Sequence, residues 1–148
     1  MGFSIFSDEY FMQEALKEAE KGFEMGEVPI GAVVVQNNRI IARSHNLTQT
    51  LTDPTAHAEM QAITSATNYL GAKYLTDCTI YVSLEPCAMC AGALAWAQVS
   101  KIVCGAADQK HGFERLQARI LHPKTEYVQG VLEHECGLII RRFFSNKR

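Results

Sequence analysis

A chain of 148 residues, 47% hydrophobic and 20% charged, fits one compact domain with a sizeable core and is short for two. Its 14 basic and 16 acidic residues give a net charge of −2, which excludes the overall basic excess of a non-specific nucleic-acid binder and leaves only local patches for such contacts. No apolar run approaches a membrane span, and Met1 to Phe6 carry neither a secretory signal pattern nor the hydroxyl residue of a myristoylation site, so the expected compartment is the cytoplasm, away from any membrane.

Ser7 can cap a helix beginning at Asp8 and Glu9, whose charges suit the positive end of its dipole. Phe11, Ala15, Leu16 and Ala19 recur at helical spacing, and Gly26 is a natural stop. Ile30 to Val35 is β-branched and apolar, Asn37-Asn38 reads as a tight turn, and Ile40-Ile41 returns as the partner strand. A loop from His45 to Asp53 follows, and Asp53-Pro54 resets the chain into a second helix with His57 and Glu59 near its first turn. Thr79 to Leu84 predicts a third strand apolar enough to be buried on both faces. Pro86 then leads into a third helix from Cys87 to about Ala97. A fourth strand (Ile102 to Gly105), a short helix (Phe113 to Ile120), a fifth strand (Tyr127 to Gln129) and an amphipathic helix from Val131 to about Phe144 complete the chain. The alternation predicts an α/β fold, a three-layer α/β/α sandwich whose opening hairpin makes a five-stranded sheet mixed.

Five cysteines do not make a disulfide framework, and they suit a reducing compartment. Cys78, Cys104 and Cys136 sit in apolar runs and read as small core residues. Cys87 and Cys90 are different. Three apart at a predicted helix start, they lie where unpaired amides and the helix dipole favour thiolate, the state a metal requires. Alone, the pair also allows a thioredoxin-like redox motif, half of a zinc ribbon, or coincidence. The first strand of a thioredoxin pattern and a second Cys-x-x-Cys are both absent.

His57 and Glu59 narrow the choice. A lone histidine is more often a satisfied core or surface residue, and a glutamate at a helix N-terminus is commonly a favourable charge and nothing more. Separated by one residue after a Pro-initiated turn, and followed by Pro86-Cys87-Ala88-Met89-Cys90, they complete a different set. Three metal ligands, His57, Cys87 and Cys90, stand beside one unligated carboxylate, Glu59. A structural zinc site uses four ligands, whereas a catalytic one keeps a position open and a general acid/base nearby. The spacing H-x-E then P-C-x-x-C is the pattern of the zinc deaminases.

Over nearly its whole length the chain resembles the bacterial tRNA adenosine deaminases of the zinc-dependent cytidine deaminase superfamily. The matching segments are Glu27 to Val33, Asp53 to Glu59, and Tyr81 to Ala93. The resemblance implies a cytidine deaminase-like fold, one Zn2+ per chain and a homodimer. It also implies hydrolytic deamination of the wobble adenosine in a tRNA anticodon stem-loop, with Glu59 moving the protons. For the substrate it implies Asn46 as hydrogen-bond partner of the flipped purine and Val28, Pro29 and Ala58 around the base. Asp108 and Lys110 would lie beside neighbouring nucleotides. Here the chain departs from the family, which often has arginine where Ala107 stands and a longer segment than His111 to Lys124.

A local basic patch, Arg141, Arg142, Lys147 and Arg148, interleaves Phe143 and Phe144. Arg142 and Phe143 are candidate RNA contacts, since aromatic rings stack on unpaired bases. The competing reading is a solvated helix end with its phenylalanines in the core. Trp96 reads as packing, with a subunit interface as the alternative. Two other functions use the same residues: a deaminase of free guanine, whose enzymes share the H-x-E and Pro-Cys-x-x-Cys wording, and a non-catalytic, zinc-stabilised RNA-binding subunit, against which the presence of Glu59 counts.

Overall fold

The computed structural model describes residues 5–146; residues 1–4 of the N-terminal segment, and Lys147 and Arg148 of the basic patch, lie outside them. Helix α1 (Asp8–Glu24) starts where Ser7 Oγ accepts the Tyr10 amide at 3.0 Å. It leads to β1 (Gly31–Gln36) and β2 (Arg39–His45), then α2 (Ala58–Leu70), β3 (Thr79–Leu84), α3 (Ala88–Ala97) and β4 (Lys101–Ala106). A 3₁₀ turn (Phe113–Leu116), β5 (Glu126–Val128) and α4 (Glu133–Asn146) follow. The strands form one mixed sheet in the order β2-β1-β3-β4-β5. β1 runs antiparallel to β2 and β3, while β3, β4 and β5 are parallel.

Side-chain alternation builds two cores from one sheet. Ala32, Val34, Ile80, Val82, Ile102 and Cys104 pack on one face with Ala62 and Ala66 of α2 and Leu94 of α3. Val33, Val35, Tyr81 and Val103 point the other way, against Phe11, Met12 and Ala15 of α1 and Cys136 of α4. This is the three-layer sandwich that the sequence predicts. Cys78, Cys104 and Cys136 are buried free thiols, as expected. The Asn37-Asn38 turn is also as read: both residues have positive φ, 52° and 61°, which suits the twist of a two-residue hairpin. At Gly31 a side chain would strike the backbone of Ala15 and Ala19, so α1 rests directly on the start of β1.

Several boundaries move. β2 continues to His45, well past Ile41. The helix predicted over 113–120 shrinks to one 3₁₀ turn, because Glu114 to Arg119 are exposed and bury no stripe to sustain it. The last helix starts at Glu133, not Val131, since Gly130 and Leu132 have positive φ just ahead of it. Cys87 stands outside α3, as its N-cap. Among the described residues, no helix is long and apolar enough to cross a membrane.

Candidate active site

The loops after the parallel neighbours β3 and β4 emerge on the same edge of the sheet, where ligands gather in open α/β sheets. A cavity of about 860 Å³ opens there. Its floor and walls include His57, Glu59, Cys87, Asn46, Val28 and Ile30, and its rim carries Asp108, Gln109, Lys110, His111 and Phe144.

His57 and Cys87 occupy the N-cap positions of α2 and α3, and neither makes a side-chain capping bond. Two positive helix ends therefore converge on the sulfurs. His57 Nδ1 lies 3.6 Å from Cys87 Sγ and 3.5 Å from Cys90 Sγ. The ligand atoms of all three residues fall within 4.8 Å of one another. The usual Zn–N and Zn–S bond lengths, at a tetrahedral angle, set an N···S separation of about 3.6 Å. The donor set thus fits zinc in both chemistry and spacing. The hydrogen bond from Cys90 and the nearby His57 pull the Cys87 thiol down to about 5, while Cys87 and burial push Cys90 up. One thiolate is already favoured, and binding a cation releases the second sulfur's proton.

Glu59 is 3% exposed, and burial, with the Cys87 sulfur adding to it, raises its carboxyl to about 7. Its Oε1 and the Oδ1 of Asn46 are buried acceptors with no protein partner among the described residues. Two such orphans in one cavity are costly unless a ligand or water satisfies them. Both residues line the cavity that His57 and Cys87 also line.

The cavity brings together Val28, Asn46, His57, Glu59, Cys87, Asp108 and Lys110 of the residues named from sequence, with buried Cys90 just beneath. The remaining residues named from sequence lie away from the cavity lining. Pro29 is fully buried, because the Ile30 amide bonds the Val28 carbonyl at 2.8 Å and closes a three-residue turn around it; Ile30, not Pro29, partners Val28 in the wall. Ala58 is also fully buried, and its carbonyl accepts Ser44 Oγ at 2.7 Å. Phe143 is a core residue, 7% exposed and edge-on to Phe23, while its neighbour Phe144 lines the cavity. Arg142 stacks over the Phe23 ring at 5.5 Å, away from the cavity lining.

Sequence reasoning missed Glu85, Thr48, Gln109, His111 and Ile140. Only Glu85 leaves a signal: a charge wedged between an apolar strand and a metal-type segment has to be buried with partners.

A family model described as MafB19-like deaminase matches residues 6–148. The chain is 49% identical over 146 residues to the tRNA-specific adenosine deaminase of Bacillus subtilis (strain 168), covering 95% of this chain and 91% of that protein. It is similar to a structure from studies of A-to-I editing by tRNA deaminases at the wobble position, with a TM-score of 0.81, 41% identity, and 88% and 98% of the two chains covered. The guanine deaminase of Bacillus subtilis is more distant, with a TM-score of 0.69 and 33% identity over 97% of this chain and 98% of that one.

Proposed function

The chain belongs to the tRNA-specific adenosine deaminases, and from that premise we infer that it converts the wobble adenosine of a tRNA anticodon loop to inosine by hydrolysis. One observation carries the reading: His57 and Cys87 of the His57/Cys87/Cys90 donor set share a cavity with Glu59 and Asn46, each of which has a buried, unpartnered acceptor among the described residues.

His57, Cys87 and Cys90 are the residues that would hold zinc, which supplies, when bound, a Lewis acid able to bring a water pKa to about 7. Glu59 is the proton carrier. With its carboxyl raised by burial, it takes one proton from the attacking water and gives it to a purine ring nitrogen, then moves the added hydroxyl's remaining proton to the amine, which leaves as ammonia. Asn46 turns its free Oδ1 to the edge of the flipped base. Val28, Ile30 and Phe144 give apolar surface that excludes water and strengthens these interactions. Asp108 and Lys110, on the rim, suit nucleotides beside the target, and the exposed Arg142 suits a more distant phosphate.

Two further features belong to this proposal. Trp96 is 85% exposed on α3, a helix that is apolar all round, and Met89 and Tyr69 are exposed as well. That surface supports a homodimer. Five free cysteines support a cytoplasmic enzyme.

Purified protein incubated in parallel with an adenosine-containing anticodon stem-loop, guanine and cytidine tests the function. Inosine from the RNA alone is the expected result. Xanthine from guanine with no inosine would replace this reading by the free-base one.

A further inference from the structure

Glu85 is 6% exposed and lies two residues before Cys87, yet it is not one of the three metal-type donors. Its Oε1 accepts the Asp108 amide and its Oε2 the Glu114 amide, each at 3.0 Å. These amides bracket the stretch of cavity rim that runs from Asp108 to His111, with Glu114 just past its far end. Between them the chain loops outward through Gln109, Lys110 and His111, all exposed, and the Gly112 amide returns to the Asp108 carbonyl at 2.8 Å. Asp108 Oδ1 tightens the same loop by accepting the Lys110 and His111 amides at 3.1 Å each. Gly112 presses on the anchor so closely that a side chain there would collide with the Glu85 carboxyl group and the Asp108 carbonyl. The Phe113 amide donates to the Pro86 carbonyl at 2.9 Å, and Gly112 pairs with Cys87.

We propose that Glu85 is a positioning residue for the nucleotides flanking the target base: its carboxylate clasps both ends of the 108–114 rim and fixes that rim against the segment carrying Cys87. The inference rests on the function proposed above. A carboxylate is the group that can do this, since it offers an acceptor to each amide at once. Glutamine keeps the shape but turns an NH2 toward one of the two N–H groups, so one end of the rim comes loose. A rim that wanders weakens binding equally in the ground and transition states, which raises KM and leaves kcat unchanged.

The test compares wild type, Glu85→Gln and Gly112→Ala on an anticodon stem-loop, with zinc content and amide exchange at Asp108 and Glu114 measured on each. We expect KM to rise roughly ten-fold, the scale of one lost charge-assisted hydrogen bond, with kcat within about two-fold, zinc retained and both amides exchanging faster. Faster exchange with unchanged KM overturns the proposal, as does a fall in kcat that tracks zinc loss or failure to fold, either of which would make Glu85 a support of the metal segment. Wild type that forms no inosine overturns the proposed function and this inference together. Wild-type activity with variants of unaltered KM overturns the inference alone.

Discussion

Glu59 stands two residues beyond the His57 donor, buried and with its Oε1 unpartnered among the described residues. Glu59→Gln keeps the volume and removes the proton carrier, so inosine formation should fall roughly 10²–10⁴-fold with bound zinc unchanged, checked by turnover assay and metal analysis of one preparation. The two phenylalanines are legible only as a pair. Consecutive helix positions point about 100° apart, so one ring goes to the core and the other to the cavity, and which is which depends on how α4 is rotated against α1. The packing settles it: Phe143 meets Phe23, and Phe144 meets the cavity. Phe144→Ala should therefore weaken RNA binding by about 1–3 kcal/mol with little change in thermal midpoint. Phe143→Ala should do the reverse, costing roughly 3–5 kcal/mol of stability in denaturant titration.

The order of elements is legible because hydrophobic periodicity and turn residues are local signals. Their ends are less so. Cys87 as an N-cap, the shortened 3₁₀ turn and the late start of α4 all depend on backbone angles that no side-chain pattern announces. The loop after β2 is another such case, for it is built around a residue distant in sequence. Glu27 is fully buried and accepts the amides of Gln49 and Thr50 at 3.1 and 2.7 Å, along with the Thr50 and Thr48 hydroxyls. Burial raises its carboxyl, but these hydrogen bonds outweigh burial and hold it below the ordinary value of 4.5. A depressed folded-state pKa contributes stability above pH 4.5 that is lost as pH falls through the lower folded value. Urea titrations across that range should show Glu27→Gln to be less stable by about 1–3 kcal/mol near neutrality, with a flatter loss of stability in acid than wild type.

At the scale of the whole molecule, the sandwich follows from sequence because a sheet buried on both faces needs helices on both, and the chain supplies two for each. Trp96 is less legible: from sequence its apolar helix reads as packing, and it is the position of α3 on the sandwich that leaves the indole outside. Trp96→Arg should therefore yield monomers by light scattering where wild type gives dimers, and unchanged mass would remove the proposed homodimer. The helix starts carry a different consequence. His57 and Cys87 stand where serine, threonine, aspartate or asparagine would ordinarily tie down the first turn, a substitution that costs roughly 1 kcal/mol per helix. In the proposed zinc-bound state a cation drawing both residues together would offset that loss, and α2 and α3 would share a single clasp. A cell short of the metal would then hold an enzyme that is loosened as well as idle, opening first where its chemistry is carried out.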